Sequence, residues 1–126
     1  MILGTGIDLI EVERIRASFE KFGERFALRI LVGGELEYCL SHRDPAPFIA
    51  ARFAAKEAVS KAFGTGIGAA IGWHDIEVRR KESGEPFVIL HGKGERLFEE
   101  RGGKQVLISL SHTQVHATDM AVLEGP

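Results

Sequence analysis

Apolar and polar positions alternate with period two over residues 2 to 10, Ile-Leu-Gly-Thr-Gly-Ile-Asp-Leu-Ile, which predicts a strand. Leu3, Thr5, Ile7 and Leu9 fall on one face of it, and Gly4, Gly6 and Asp8 on the other. From residue 12 to residue 22 the period becomes helical, with Val12, Ile15, Phe19 and Phe22 inward and Arg14, Arg16 and Lys21 outward. Residues 26 to 31 read as a short apolar helix, and a further helix begins at Glu35 after Gly33-Gly34. Pro45 and Pro47 then open an alanine-rich helix of about four turns, and Gly64 closes it. Ala51, Ala54, Ala55, Ala58, Val59 and Ala62 share one face of that helix, small enough for another backbone to come very close. The opposite arc carries Arg52, Lys56, Glu57, Ser60 and Lys61 with Phe53 among them. A phenylalanine in a charged arc suggests that a ligand or another subunit partly covers this face.

Glycine in a strand often marks a close backbone approach, so the Gly4/Gly6 surface is predicted to dock on the alanine face. Asp8 would then lie at the edge of the contact, where a buried carboxylate needs a cation or several donors. A surface Asp capping the next helix is the plainer alternative.

The second half is shorter in period. Residues 64 to 72 form a glycine-rich loop, residues 76 to 80 and 87 to 90 a hairpin around a turn at 82 to 86, and residues 93 to about 101 a helix. Residues 105 to 111 alternate again, turn at Ser111-His112-Thr113-Gln114, and return over 115 to 123. Helices and antiparallel hairpins mix without regular alternation, which is the signature of an α+β fold.

Composition narrows the class. A chain of 126 residues has room for one domain, residues 1–126, with a real core. Its 44% apolar and 27% charged residues are those of a soluble globular protein. A net charge of −2 argues against a nucleic-acid partner, whose footprint would be basic. Cys39 stands alone, so neither an intramolecular disulfide nor a cysteine-rich zinc site is available. The apolar start lacks a basic leader and contains Asp8, no apolar run approaches a membrane span, and the expectation is a cytoplasmic protein.

Taken singly, the polar motifs are modest. Glu57 and Lys61, four apart on a helix, read as an exposed ion pair worth roughly 0.3–0.5 kcal/mol. Backbone N–H groups of the glycine-rich loop could cradle phosphate, but the Walker pattern is missing and a connector is the simpler reading. Ser111, His112 and Thr113 suit a turn, and no nucleophile elbow surrounds the serines. The five histidines lack metal-ligand spacing. On charge alone the basic side of the first helix is a solvated face, since Glu11, Glu13 and Glu20 nearly balance it.

Together the motifs say more. Gly6-Ile-Asp-Leu-Ile-Glu-Val-Glu-Arg14-Ile, then Arg52-Phe-Ala-Ala-Lys-Glu-Ala-Val-Ser-Lys-Ala-Phe-Gly64-Thr-Gly, then Asp75-Ile-Glu-Val and Ser109-Leu-Ser-His-Thr113 resemble the holo-[acyl-carrier-protein] synthases, the small type of 4′-phosphopantetheinyl transferase. The likeness runs in order over nearly the whole chain. It implies the compact α+β fold of that family, with an antiparallel sheet and a long central helix, working as a homotrimer with active sites between subunits. It implies transfer of phosphopantetheine from coenzyme A to a serine of apo acyl carrier protein in fatty acid biosynthesis, releasing adenosine 3′,5′-bisphosphate. By this resemblance Asp8 and Glu57 hold Mg²⁺, and Asp8, Glu57 and Lys61 carry the catalysis, with Lys61 facing a phosphate oxygen. Arg52, Gly64, His112 and Thr113 would line the coenzyme A site together with Lys61, and Pro86 would lie nearer the adenine. Arg14 and Lys21 would meet the acidic helix of the carrier protein, which overturns the solvated-face reading.

Two departures from the family pattern stand out. Val32-Gly33-Gly34 replaces the usual helix-opening residues, so that helix should start less firmly. Asp119 replaces a small apolar residue and His116 an aromatic one, which bears on local packing or the trimer contact and not on the metal site. Two rival readings are another Mg²⁺-dependent enzyme acting on a nucleotide diphosphate and a non-catalytic trimeric module that binds coenzyme A.

Overall fold

In the computed structural model, which describes residues 1–126, the chain opens with β1 (Ile2–Glu11), α1 (Val12–Phe22), α2 (Glu24–Ile30) and α3 (Gly33–Leu40). The longest helix, α4 (Ala46–Ala62), follows, and then a 3₁₀ turn at Trp73–Asp75. The chain ends with the hairpin β2 (Ile76–Arg80) and β3 (Pro86–Leu90), the helix α5 (Gly92–Glu100) and the hairpin β4 (Gln105–His112) and β5 (His116–Glu124). Every strand pairing is antiparallel: β5 lies between β1 and β4, and β2 pairs with β3 in a second sheet. The α+β class read from the pattern is the observed one. No helix is long and apolar enough to cross a membrane.

Helix α4 lies across β1 and β5, and glycine makes this possible. A Cβ built on Gly6 would sit 1.8 Å from the Ala58 carbonyl oxygen, and one on Gly4 would sit 2.0 Å from that of Ala62. The expected dock of the glycine surface on the alanine face is therefore present, and it is backbone against backbone. The first half of α4 shares a core with Val12, Ile15, Ile30 and Leu31, while its second half packs with Ile71, Ile76 and Leu123. Burying each such side chain contributes about 1.5–3 kcal/mol.

Several details differ from the pattern reading, each for a physical reason. The register of β1 slips between Ile2 and Gly4, so Leu3 turns to the core while Ile7 and Leu9 face out. Phe22, expected inward, is 54% exposed because α1 ends there at Gly23. Helix α3 starts at Gly33, two residues before the expected Glu35, and so includes both glycines. Its entry is held by Glu35, whose carboxylate accepts the Val32 N–H at 2.9 Å.

Part of the polar arc of α4 is also covered, but by this chain itself. Arg52, Lys56 and Ser60 are buried, and Phe53 packs on Trp73 with ring centroids 4.8 Å apart. The Lys56 ammonium donates to Ile30 O at 2.6 Å, Glu35 Oε1 at 2.7 Å and Trp73 O at 3.0 Å. Glu35 Oε2 accepts the Val78 N–H at 2.8 Å, so one ion pair ties α4 to α2, α3, β2 and the 3₁₀ turn. Burial pulls the Lys56 ammonium below its ordinary range, and Glu35 opposes that shift. Removing one member of a buried pair strands the other without its partner. Lys56→Met is therefore expected to lower unfolding free energy by about 3–5 kcal/mol in urea titrations. A loss below about 1 kcal/mol, the scale of an exposed pair, would contradict the pairing described.

Candidate functional site

Asp8 projects from the side of β1 that faces α4, just beyond the Gly4 and Gly6 contact, and its side chain is 16% exposed. Lys61 reaches across from the last turn of α4. Its ammonium donates to Asp8 Oδ1 at 3.1 Å and to Ile7 O at 3.0 Å. The i,i+4 pair with Glu57 suggested by spacing does not form, because β1 lies close enough to capture the lysine. Glu57 stands one turn before Lys61, half-buried. Desolvation, and then the Asp8 charge, push its carboxyl above the usual range, and Lys61 pulls the other way.

Asp8 and Glu57 line one groove of about 370 Å³, together with Arg14 and Ser18 of α1, Phe26 of α2 and Phe53 of α4. No three His, Cys, Asp or Glu side chains converge tightly enough to hold a metal ion by themselves. Mg²⁺ is commonly held by one or two carboxylates, the remaining positions going to phosphate and water. Two neighbouring carboxylates, one of them Glu57 with its proton affinity raised by burial and by the Asp8 charge, fit that mode. Asp8 and Glu57 are the residues that could hold such an ion.

A third carboxylate lies behind them. Asp119 on β5 is the direct cross-strand partner of Asp8, so both side chains project toward α4. Asp119 is 1% exposed, and neither of its carboxylate oxygens has a hydrogen-bond partner. Burial, reinforced by the Asp8 charge, pushes its carboxyl up to about 8. The sequence marks Asp119 as unusual but assigns it to packing; strand register places it beside the candidate metal carboxylate instead.

The raised value has a measurable consequence. In the folded chain the Asp119 carboxyl holds its proton up to about 8, whereas the unfolded chain releases it near 3.8. Between those values the folded state binds more protons than the unfolded one, so stability falls as pH rises and levels off above the folded value. In EDTA, Asp119→Asn should match the parent near pH 4 and become the more stable protein toward pH 8, by a few kcal/mol. A gap in Tm that does not widen with pH would contradict this environment for Asp119.

Of the remaining sequence-predicted residues only Arg14 shares that groove. Gly64 follows Lys61 closely, takes a left-handed φ of 82° and donates its N–H to Lys61 O at 2.8 Å. Arg52 is buried on another side of α4, its guanidinium 4.4 Å from the Tyr38 ring centre, beside a cavity bordered by Gly34, Arg79 and Arg80. Pro86 opens β3 opposite Arg80. His112 and Thr113 lie at the end of β4 in a third depression with His42, Arg43 and Phe48. Arg14 lines the carboxylate groove itself, while Lys21 sits in the last turn of α1 with its ammonium 5.2 Å from the Phe22 ring centre. Sequence reasoning missed Ser18 and Phe26 as groove residues and the Lys56–Glu35 pair beneath Glu57. A lysine directly before Glu57 in an otherwise small-residue helix was the available signal for that pair.

A family model described as the 4′-phosphopantetheinyl transferase superfamily matches residues 4–118. The chain is 46% identical over 124 residues to the holo-[acyl-carrier-protein] synthase of Koribacter versatilis, covering 98% of this chain and 99% of the relative. Its backbone matches the crystal structure of holo-[acyl-carrier-protein] synthase from Neisseria meningitidis with a TM-score of 0.91 at 35% identity, covering 98% of this chain and 99% of that one. The Bacillus anthracis synthase, solved in complex with CoA (3′,5′-ADP), matches with a TM-score of 0.83 at 39% identity, covering 100% of this chain and 99% of that one. The chain belongs to the 4′-phosphopantetheinyl transferase superfamily, among its holo-[acyl-carrier-protein] synthases.

Proposed function

We propose that this chain transfers the 4′-phosphopantetheine group of coenzyme A to a serine of apo acyl carrier protein, releasing adenosine 3′,5′-bisphosphate, as a step serving fatty acid biosynthesis in the cytoplasm. The observation that carries this reading is the groove that Asp8 and Glu57 line with Arg14, with the Lys61 ammonium paired to Asp8 at its edge. Breaking a pyrophosphate bond builds negative charge on phosphoryl oxygens, and Mg²⁺ held by Asp8 and Glu57 supplies the neutralising charge when bound. Lys61 is the group that can leave its Asp8 contact to meet a phosphate oxygen of the departing bisphosphate. Glu57 is the groove's candidate acceptor for the serine proton. Arg14 and the exposed Lys21 place positive charge along α1, where the acidic carrier protein would dock and present its serine to the same groove.

The remaining coenzyme A residues fit a shared site. Gly64 lies beside Lys61, whereas Arg52, His112 and Thr113 border other depressions of one chain and Pro86 pairs with Arg80 at the edge of one of them. A homotrimer would bring one subunit's His112 and Thr113 to its neighbour's Asp8, Glu57 and Lys61. The surface supports such an assembly. Ile7 and Leu9, each 66% exposed, Met120 at 50% and Leu107 at 47% all lie on the outer face of the β1-β5-β4 sheet. An apolar sheet face of this kind marks an interaction site.

Subunit mixing tests the shared site. Glu57→Gln and His112→Ala trimers should each be inactive alone. Unfolded together and refolded at equal amounts, they should regain about a quarter of parent activity, the share of interfaces that receive both intact halves. No recovery in verified mixed trimers would place both residues in the same subunit's site.

A further inference from the structure

The candidate cation site contains a carboxylate for which neither the paired metal ligands nor the fold accounts. Asp119 is 1% exposed, and both of its oxygens lack any hydrogen-bond partner. No lysine, arginine or histidine forms an ion pair with it. Its neighbours on the inward face of β5, Ala117 and Ala121, are fully buried and small, as packing against α4 requires. An alanine at 119 would continue that pattern without cost. A buried carboxylate with no partner is instead destabilising, and it persists in a fold where something outside the chain compensates it.

The direction of compensation follows from register. Asp119 stands directly opposite Asp8, and cross-strand partners hold their Cβ atoms about 4.5–5.5 Å apart on one face. Asp8 in turn faces the groove with Glu57, and its one cationic partner is Lys61. Asp119, Asp8 and Glu57 thus lead from the sheet interior to the groove, and the single lysine nearby is paired with Asp8.

We propose that Asp119 is a positioning residue of the cation site: it stands behind Asp8 as a third carboxylate and raises the affinity of the Asp8–Glu57 pair for a divalent cation, without itself being a ligand. Groups one layer behind metal ligands commonly change affinity by about 10–100-fold. The cost of burying Asp119 in the empty protein is offset when the cation binds. The inference rests on the reading of Asp8 and Glu57 as the metal carboxylates.

The test uses Mn²⁺ as the probe, followed by electron paramagnetic resonance in the presence of coenzyme A, with melting temperatures of the same proteins in EDTA. Asp119→Asn keeps the side chain's shape, and Asp119→Ala continues the alanine pattern of β5. Both are expected to melt at higher temperature than the parent in EDTA at pH 8 and to bind Mn²⁺ about 10-fold more weakly. A residue that served packing alone would not move metal affinity while raising stability. Unchanged Mn²⁺ affinity in both variants overturns the proposal and leaves the transferase reading intact. Mn²⁺ binding that survives Asp8→Asn overturns the metal assignment and this proposal together.

Discussion

Gly6→Ala should leave the protein unfolded or nearly so, with a loss above about 5 kcal/mol, beyond the range of ordinary single substitutions. The new methyl carbon would lie 1.8 Å from the Ala58 carbonyl oxygen, 2.8 Å from its carbon and 2.9 Å from the Ala62 nitrogen. All three are backbone atoms of one helix, so no side chain can swing away to make room. Relief requires β1 to back off from α4, which opens the core over Ala58, Val59 and Ala62 and disturbs the pairing of Gly6 with Ala121. Ordinary overpacking costs about 1–3 kcal/mol because side chains share the strain, and that route is closed here. Thr5→Ala is the control: Thr5 is exposed on the other face of the same strand and should shift stability by less than about 0.5 kcal/mol. Comparable denaturation midpoints for the two variants would show that the glycine contact is not what joins strand to helix.

The largest effect on activity falls on the two groove carboxylates. Asp8→Asn and Glu57→Gln keep size and remove charge, so the fold should persist while transfer drops by about 10³-fold or more. kcat is expected to fall and the Mg²⁺ concentration required to rise, because each variant halves the charge available to hold the ion. Asp8→Asn also frees Lys61 from its ion pair, which makes it the more disruptive of the two for lysine placement. The variant proteins should still bind coenzyme A through their other contacts. Parent-like kcat in either protein at saturating Mg²⁺ would remove that residue from the catalytic set.

Much of this could be read from the chain, and the limits have physical causes. Gly4 and Gly6 announced a close contact, and the small face of α4 offered the partner, because both are properties of local spacing. The antiparallel hairpins showed themselves through alternation. What stayed hidden depended on side chains meeting across long separations. Lys56 looked like part of a charged outer arc, yet Glu35 lies 21 residues away and only the packed fold brings them within 2.7 Å. Lys61 spaced correctly with Glu57 chose Asp8, 53 residues distant, because β1 passes closer than the previous helical turn. Asp119 was visible as an oddity, but its relation to Asp8 exists only in the register of β1 with β5.

The central claim is the transfer itself, and intact-mass spectrometry of apo acyl carrier protein tests it most directly. The carrier protein is incubated with coenzyme A, Mg²⁺ and this protein, with EDTA, Asp8→Asn and Glu57→Gln as controls. A mass gain equal to one phosphopantetheine group, lost in all three controls, is the predicted result. Coenzyme A binding without any covalent gain on several apo carrier proteins would contradict the transferase reading and leave a binding module in its place.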